Sequence, residues 1–268
     1  DIGGIIGGIS NLPGIVPTPV PEVFSGTCGE AATWKFETAS NTLTISGTGE
    51  MTSAPWKTNY ASVIKAVTIE EGVTKLCSNA FENCTGLTRV EIPDGVTNIT
   101  DRMFYKCISL EEIAIPNSVT SIGDMAFAGC TGLRTVYNCS SLDIDMGSTD
   151  NGFVAYYADK VIEVPNGSIV GDYIFTSANG VNTLVEYLGD GGDITLPENY
   201  NGKNYVIGSM VFWDNTTITS VTIPNSVTGI KYGAFSGCRG LTAVHITDLA
   251  TWCRIDFSSE YSNPLFYA

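Results

Sequence analysis

The sequence predicts an α/β-type repeat solenoid, a right-handed coil in which each turn adds one strand to a parallel sheet and one slab to a narrow core. Two observations predict it. Three consecutive blocks of 23 residues, 64–86, 87–109 and 110–132, follow one pattern. A fourth copy, ITSVTIPNSVTGIKYGAFSGCRG, returns at 218–240. A fixed period in the twenties marks units that bury their apolar face only against their neighbours.

The copy at 87–109 shows how each element arises. Leu87, Val90 and Ile92 are apolar among mostly polar neighbours, and Val90–Glu91–Ile92 alternates with the period of two of a half-buried strand. Pro93 lacks a backbone donor and ends the strand, and Asp94–Gly95 supplies a turn. Val96 and Ile99 point inward from the next straight stretch, and Thr100 or Asp101 caps a short helical turn carrying Met103, Phe104 and Cys107. Stacked like on like, Val67, Val90, Ile113 and Val136 form one ladder and Ile69, Ile92 and Ile115 a second. Phe81, Phe104 and Phe127 form a third, joined later by Phe212 and Phe235. Successive strands in such a stack lie about 4.8 Å apart.

The pattern Leu-x-x-Val-x-Ile-Pro-(Asp/Asn)-(Gly/Ser)-Val-Thr-x-Ile…Ala-Phe-x-x-Cys resembles the BspA-type leucine-rich repeat, over roughly residues 64–137 and 194–255. Met103 departs from it where other copies have Ala. The coil at 194–217 departs further, being four residues longer between its Leu-Pro and its Phe, with Asn215 in the cysteine place. Residues 28–51 resemble the β-hairpin that often precedes these repeats, hence a β-rich N-terminal cap. The resemblance implies a leucine-rich-repeat fold with short helical turns opposite the sheet. It also implies a binding or adhesion module of surface and secreted bacterial proteins, not a catalyst.

Length alone suggests two globular domains; the repeats favour one continuous solenoid. Its parts are a tail (1–24), a β cap (25–63), a first repeat block (64–137), a β-rich insertion (138–193) and a second block (194–268). The tail, rich in Gly, Pro and Ile, reads as a linker or as an apolar segment that adds to a sheet edge. The other end, 247–268, carries no obvious polar cap, so the natural protein is expected to continue past Ala268. Asp and Glu number 28 against 13 Lys and Arg, and the net charge of −15 excludes a phosphate-backbone partner. Acidity here reads first as solubility, with a cationic partner or calcium as the alternative. No run of 18 apolar residues is present to span a membrane.

Cys84, Cys107 and Cys130 fall 23 residues apart, with Cys238 in the same place of its repeat. Equivalent side chains in a stack point the same way, which suits buried small hydrophobes better than disulfides. Cys28, Cys77, Cys139 and Cys253 share no register, which leaves room for one bond among them. With one histidine and no CxxC, no zinc site is expected, and no cofactor. Asp143, Asp145 and Asp150 sit in a loop that fails the EF-hand pattern, with Ser148 and Val154 where Gly and Glu belong. His245 follows the outward position of a strand, and nothing pairs it with a nucleophile. The chain is therefore read as a non-enzyme.

Residues 138–193 break the period. Strand-like pieces at 142–144, 161–164, 173–176 and 183–187 alternate with turns at Asn166–Gly167 and Asn179–Gly180, as a coil with one or two inserted hairpins projecting from the solenoid. Such an insertion either binds a partner or re-sets the stacking between blocks. Along the sheet, outward positions form two rows. One holds Ala66, Arg89, Glu112, Thr135, Ser220 and Ala243; the other Thr68, Glu91, Ala114, Tyr137, Thr222 and His245. Arg89, Glu91, Glu112, Tyr137 and His245 are the candidate ligand-binding residues, with Phe153, Tyr156 and Tyr157 of the insertion as a second set. The function expected is adhesion to a host or neighbouring-cell protein outside the bacterial cell. The alternatives are a structural spacer within a larger surface protein, or glycan binding through the insertion's aromatics.

Overall fold

A computed structural model describes residues 22–268. Both readings of the tail fall mainly on residues 1–21 and lie outside the described residues. The described chain is a solenoid of about nine turns, built on parallel ladders with few helices. It opens with an antiparallel meander of Val23–Thr27, Ala32–Glu37 and Thr42–Gly47. In the middle strand Ala32, Trp34 and Phe36 point inward and the residues between them outward, the alternation expected of a half-buried strand. The third strand pairs in parallel with Ala66–Ile69, Leu43 opposite Val67 and Ile45 opposite Ile69, and so becomes the first rung of the solenoid. Gly47 makes the corner possible. Its φ is +102°, and a Cβ there would come within 2.1 Å of the Ala31 carbonyl, so only glycine fits.

Val67 then faces Val90, and Ile113 faces Val136, as the repeats require. The phenylalanine ladder forms too. Phe81 and Phe104 stack at 5.4 Å and Phe104 and Phe127 at 5.1 Å, with Trp56 before them at 5.9 Å from Phe81. Phe212 and Phe235 do not join it. They stack at 4.7 Å in a separate core, headed by Tyr187. The insertion has parted the ladder.

The expected helical turn at Met103–Cys107 does not form a helix. Arg102 and Lys106 adopt left-handed φ of 50° and 59°. Their amides and that of Phe104 reach across to Asp124, Ala126 and Ala128 of the next coil, at 2.8–2.9 Å. The amides between them, of Met103, Tyr105 and Cys107, bond Thr100, Arg102 and Phe104 within the turn, so local and inter-coil bonds alternate along the segment where a helix would bond each residue to the one four before it. The expected cap is absent for the same reason: Asp101 Oδ1 accepts the amide of Asp124, a coil away, and Thr100 Oγ1 is buried without a partner.

The cysteine ladder gains a reason that its spacing did not reveal. Three of its thiols donate to the phenylalanine carbonyl of the preceding coil: Cys107 to Phe81 at 3.2 Å, Cys130 to Phe104 at 3.0 Å, Cys238 to Phe212 at 3.0 Å. All eight cysteines are free thiols, so no bond links Cys28, Cys77, Cys139 and Cys253. Burial pushes Cys84 and Cys130 up to about 12 and Cys238 to about 11, far from a reactive thiolate.

The insertion continues the coil before it departs. Thr135–Asn138 and Lys160–Glu163 extend the parallel sheet of Glu112–Ile115, Val136 facing Val161. Ser168–Val170, Tyr173–Ala178 and Val181–Tyr187 then form an antiparallel meander. Its last strand pairs in parallel with Tyr205–Ile207 and so starts one sheet of the second block, continued by Val227–Ile230 and Asp256–Phe257. The second block's other sheet is Gly192–Thr195, Ile218–Ile223 and Ala243–Ile246. Residues 258–268 fold over the last coil, with Ser262 fully buried and Tyr267 against the core.

Candidate interaction surface

The meander does not project. It lies across the outward face of the first block, and the two surfaces make a third core. Ala114 and Tyr137 from the block, with Cys139 and Val164 from the stretch that follows it, close on Ile169 and Ile174 of the meander. Ile162, Val185 and Leu188 pack at its margin. The strand Tyr173–Phe175 is buried on both sides, Ile174 into this seam and Tyr173 and Phe175 into the second block. The sequence carried that signal. Three consecutive apolar residues, where a hairpin in solvent would alternate, mark a strand covered on both faces.

Four of the five predicted sheet-face residues therefore sit at this seam. Tyr137, expected to face solvent, is 6 % exposed. Its hydroxyl pKa is raised by burial and by the nearby carboxylates of Glu186 and Glu112. Arg89 reaches Glu91 Oε1 at 3.0 Å and also pairs with Asp172 of the meander. Glu112 is half-buried, its carboxyl pushed up by loss of solvent more than it is pulled down by Arg89 and Lys160. Strands Arg89–Glu91 and Glu112–Ile115 belong to separate ladders. A small cavity between them is lined by Val90, Glu112, Ile113 and Tyr137, and roofed by Ile169 and Leu188. Asp172 and Glu186, which complete the seam, were not among the residues that repeat spacing singled out.

His245 lies apart from the other four, on the second block. There the predicted register holds: Ser220 faces Ala243 and Thr222 faces His245. Among the described residues, no segment covers this face. Asp193, Thr195 and His245 are exposed, and Ser220 and Thr222 are half-exposed. Asp193 Oδ1 accepts the hydroxyls of Thr219 at 2.7 Å and Ser220 at 2.8 Å, and these bonds hold its carboxyl below its usual value. Ile246, an inward position by the strand's alternation, is 37 % exposed because its strand is at the sheet edge. The predicted rows are thus two surfaces, one closed and one open.

The insertion's aromatics do meet. Tyr156 contacts Phe153 at 5.6 Å and Tyr157 at 4.9 Å, both edge to face. This is the geometry of rings packing on one another rather than of a flat platform.

With this geometry in view, the comparisons with known proteins decide the class. A family model, BspA type leucine rich repeat region, matches in six copies over residues 57–182 and 193–258. The chain belongs to this family. The repeat module is similar in solved structures to a leucine-rich repeat protein from Eubacterium ventriosum, at 17 % identity and a TM-score of 0.41, over 88 % of this chain and 75 % of that one. It is similar to a leucine rich cell surface protein from Faecalibacterium prausnitzii, at 17 % identity and 0.27, over 91 % and 99 %. The pneumococcal vaccine antigen PcpA is similar at 15 % identity and 0.31, over 85 % and 71 %. No curated protein matches the sequence. No helix among the described residues is long and apolar enough to cross a membrane.

Proposed function

We propose that this chain is a non-catalytic recognition module displayed outside a bacterial cell, and that it engages a protein partner through the open sheet face of its second block. One observation supports this most directly. The equivalent face of the first block already holds a length of polypeptide, gripped by an apolar centre of Ala114 and Tyr137 and by the Arg89–Asp172 pair. A face of this register can thus seat an extended segment of chain, which supports the reading. The face with Asp193, Thr195, Ser220, Thr222 and His245 offers the same register with hydroxyls and a carboxylate instead. Extended outward rows are the surface that solenoids commonly present to partners. Membership of this repeat family supports display, since the resemblance implies surface and secreted bacterial proteins.

The test is a binding screen of the folded chain against host matrix proteins, mucins and a glycan array at low and high salt. The expected result is a saturable protein hit that falls at least ~10-fold in Thr222→Arg, which puts a bulky charge at the middle of the open face. The same hit should be unmoved in Tyr156→Ala. Silence across the panel would favour the structural spacer. A glycan hit lost in Tyr156→Ala would favour the insertion's aromatics.

A further inference from the structure

The seam between the first block and the meander holds more carboxylate than its cations serve. Asp94, at the turn after Arg89–Glu91, accepts the Ser168 hydroxyl on Oδ2, while its Oδ1 is buried with no partner. The Cys139 thiol, just past the block, lies near enough to feel its charge. Glu112 on the block and Glu186 on the meander repel one another across the seam, and Tyr137 stands near both. Around Glu112 lie Arg89 and Lys160, which attract it, and Glu111 and Asp190, which repel it. Around Glu186 lies Lys160. Arg89 is already engaged by Glu91 and Asp172, and Lys160 is exposed. One exposed ammonium is thus left between two half-buried acids, and the third acid has a buried oxygen with no donor.

We propose that this seam is an acid-tightened clasp between the two repeat blocks. The meander stays with the second block, because Val181–Tyr187 is a strand of that block's sheet. What opens is the contact with the first block, about the connection at residues 164–168. Opening would return Asp94, Glu112 and Glu186 to water.

The sign follows from that. Burial raises all three carboxyls when the seam is closed. The closed state therefore holds protons more tightly than the open one, and acid favours closure. The stabilisation is complete below the ordinary carboxylate range and is lost as pH climbs through the raised values toward neutrality. Loosening uncovers Ala114, Tyr137 and Cys139, so the first block's face is withheld in acid and offered near neutral pH.

Hydrogen exchange on the whole chain tests this, read as protection factors for 135–139 and 168–175, with labelling of Cys139 scaled at each pH to the unfolded chain. From about pH 3, below the ordinary carboxylate range, to pH 7.5 seam protection should fall at least ~10-fold, since a tenfold difference in one carboxyl's proton affinity between closed and open seam becomes a tenfold change in the closing equilibrium across that whole range. The combined variant Asp94→Asn, Glu112→Gln, Glu186→Gln should stay protected at both values. Glu112→Gln alone, the milder change, should shrink the dependence while the fold is kept. Equal wild-type protection at the two pH values overturns the proposal. So does undiminished pH dependence in the variants, or a matching loss around Phe104 and Phe212, which would mean that the whole molecule loosens.

Discussion

In the first block Ala114 and Tyr137 of the outward row are buried, whereas the matching positions of the second block, Thr222 and His245, meet solvent. The repeats that build the two rows are close copies, and both rows stand in the same parallel register. What differs is the non-repeating chain beside each. The meander lies over the first block's face, and no described segment does so for the second. Composition follows this division. The covered positions hold Ala and Tyr, which gain from desolvation; the open positions hold Thr and His, which tolerate water.

Mutation probes this contrast, most severely at the ladder. Phe104→Ala removes a ring stacked on both sides and should cost about 3–5 kcal/mol. Phe235→Ala loses one stacking partner and should cost less; urea denaturation of both variants measures the difference. Next comes the seam. Ile174→Ala empties the centre of the third core and should cost about 2–4 kcal/mol, with tyrosine fluorescence reporting new solvent at Tyr137. If stability is unchanged, the meander is not packed on the first block. Arg89→Ala leaves Asp172 without its cation in a half-buried setting and should cost roughly 1–2 kcal/mol, between the values of surface and buried pairs. The same denaturation curves check it. Smallest of all is His245→Ala on the open face, within ~0.5 kcal/mol of wild type. A larger loss would mean that this face is covered after all.

The thiols offer a measurement that separates surface from ladder. Native labelling followed by mass spectrometry should modify Cys253, which is exposed, and then Cys77, which is half-buried. Cys84, Cys107, Cys130 and Cys238 should react only on unfolding, since each is fully buried and its pKa raised.

Much of the fold was legible because a repeat states its own contacts. If Val67 and Val90 occupy the same place in successive coils, they must meet, and no other part of the chain is needed to say so. The same reasoning stacked Phe81 on Phe104 and set the cysteines in a line. It failed where local and inter-coil bonding compete. The segment around Met103 has the cap and spacing of a helical turn, but the amides of Arg102, Phe104 and Lys106 bond the next coil instead. A single repeat read alone does not contain that competitor.

The candidate surface was legible by half. Periodicity correctly assigned which residues leave the sheet outward, so Arg89, Glu91, Glu112, Tyr137 and His245 all lie on sheet faces. It could not say what lies over them, because a cover comes from chain that shares no period with the face it covers. The coil, its ladders and the side of the strand each residue takes were all written in the sequence, since they follow from a period of two within strands and of 23 between them. That one face is closed and the other open emerged only with the folded chain. The choice rests on long-range burial of Ile169, Ile174 and Tyr137 together, a gain that no window of sequence holds.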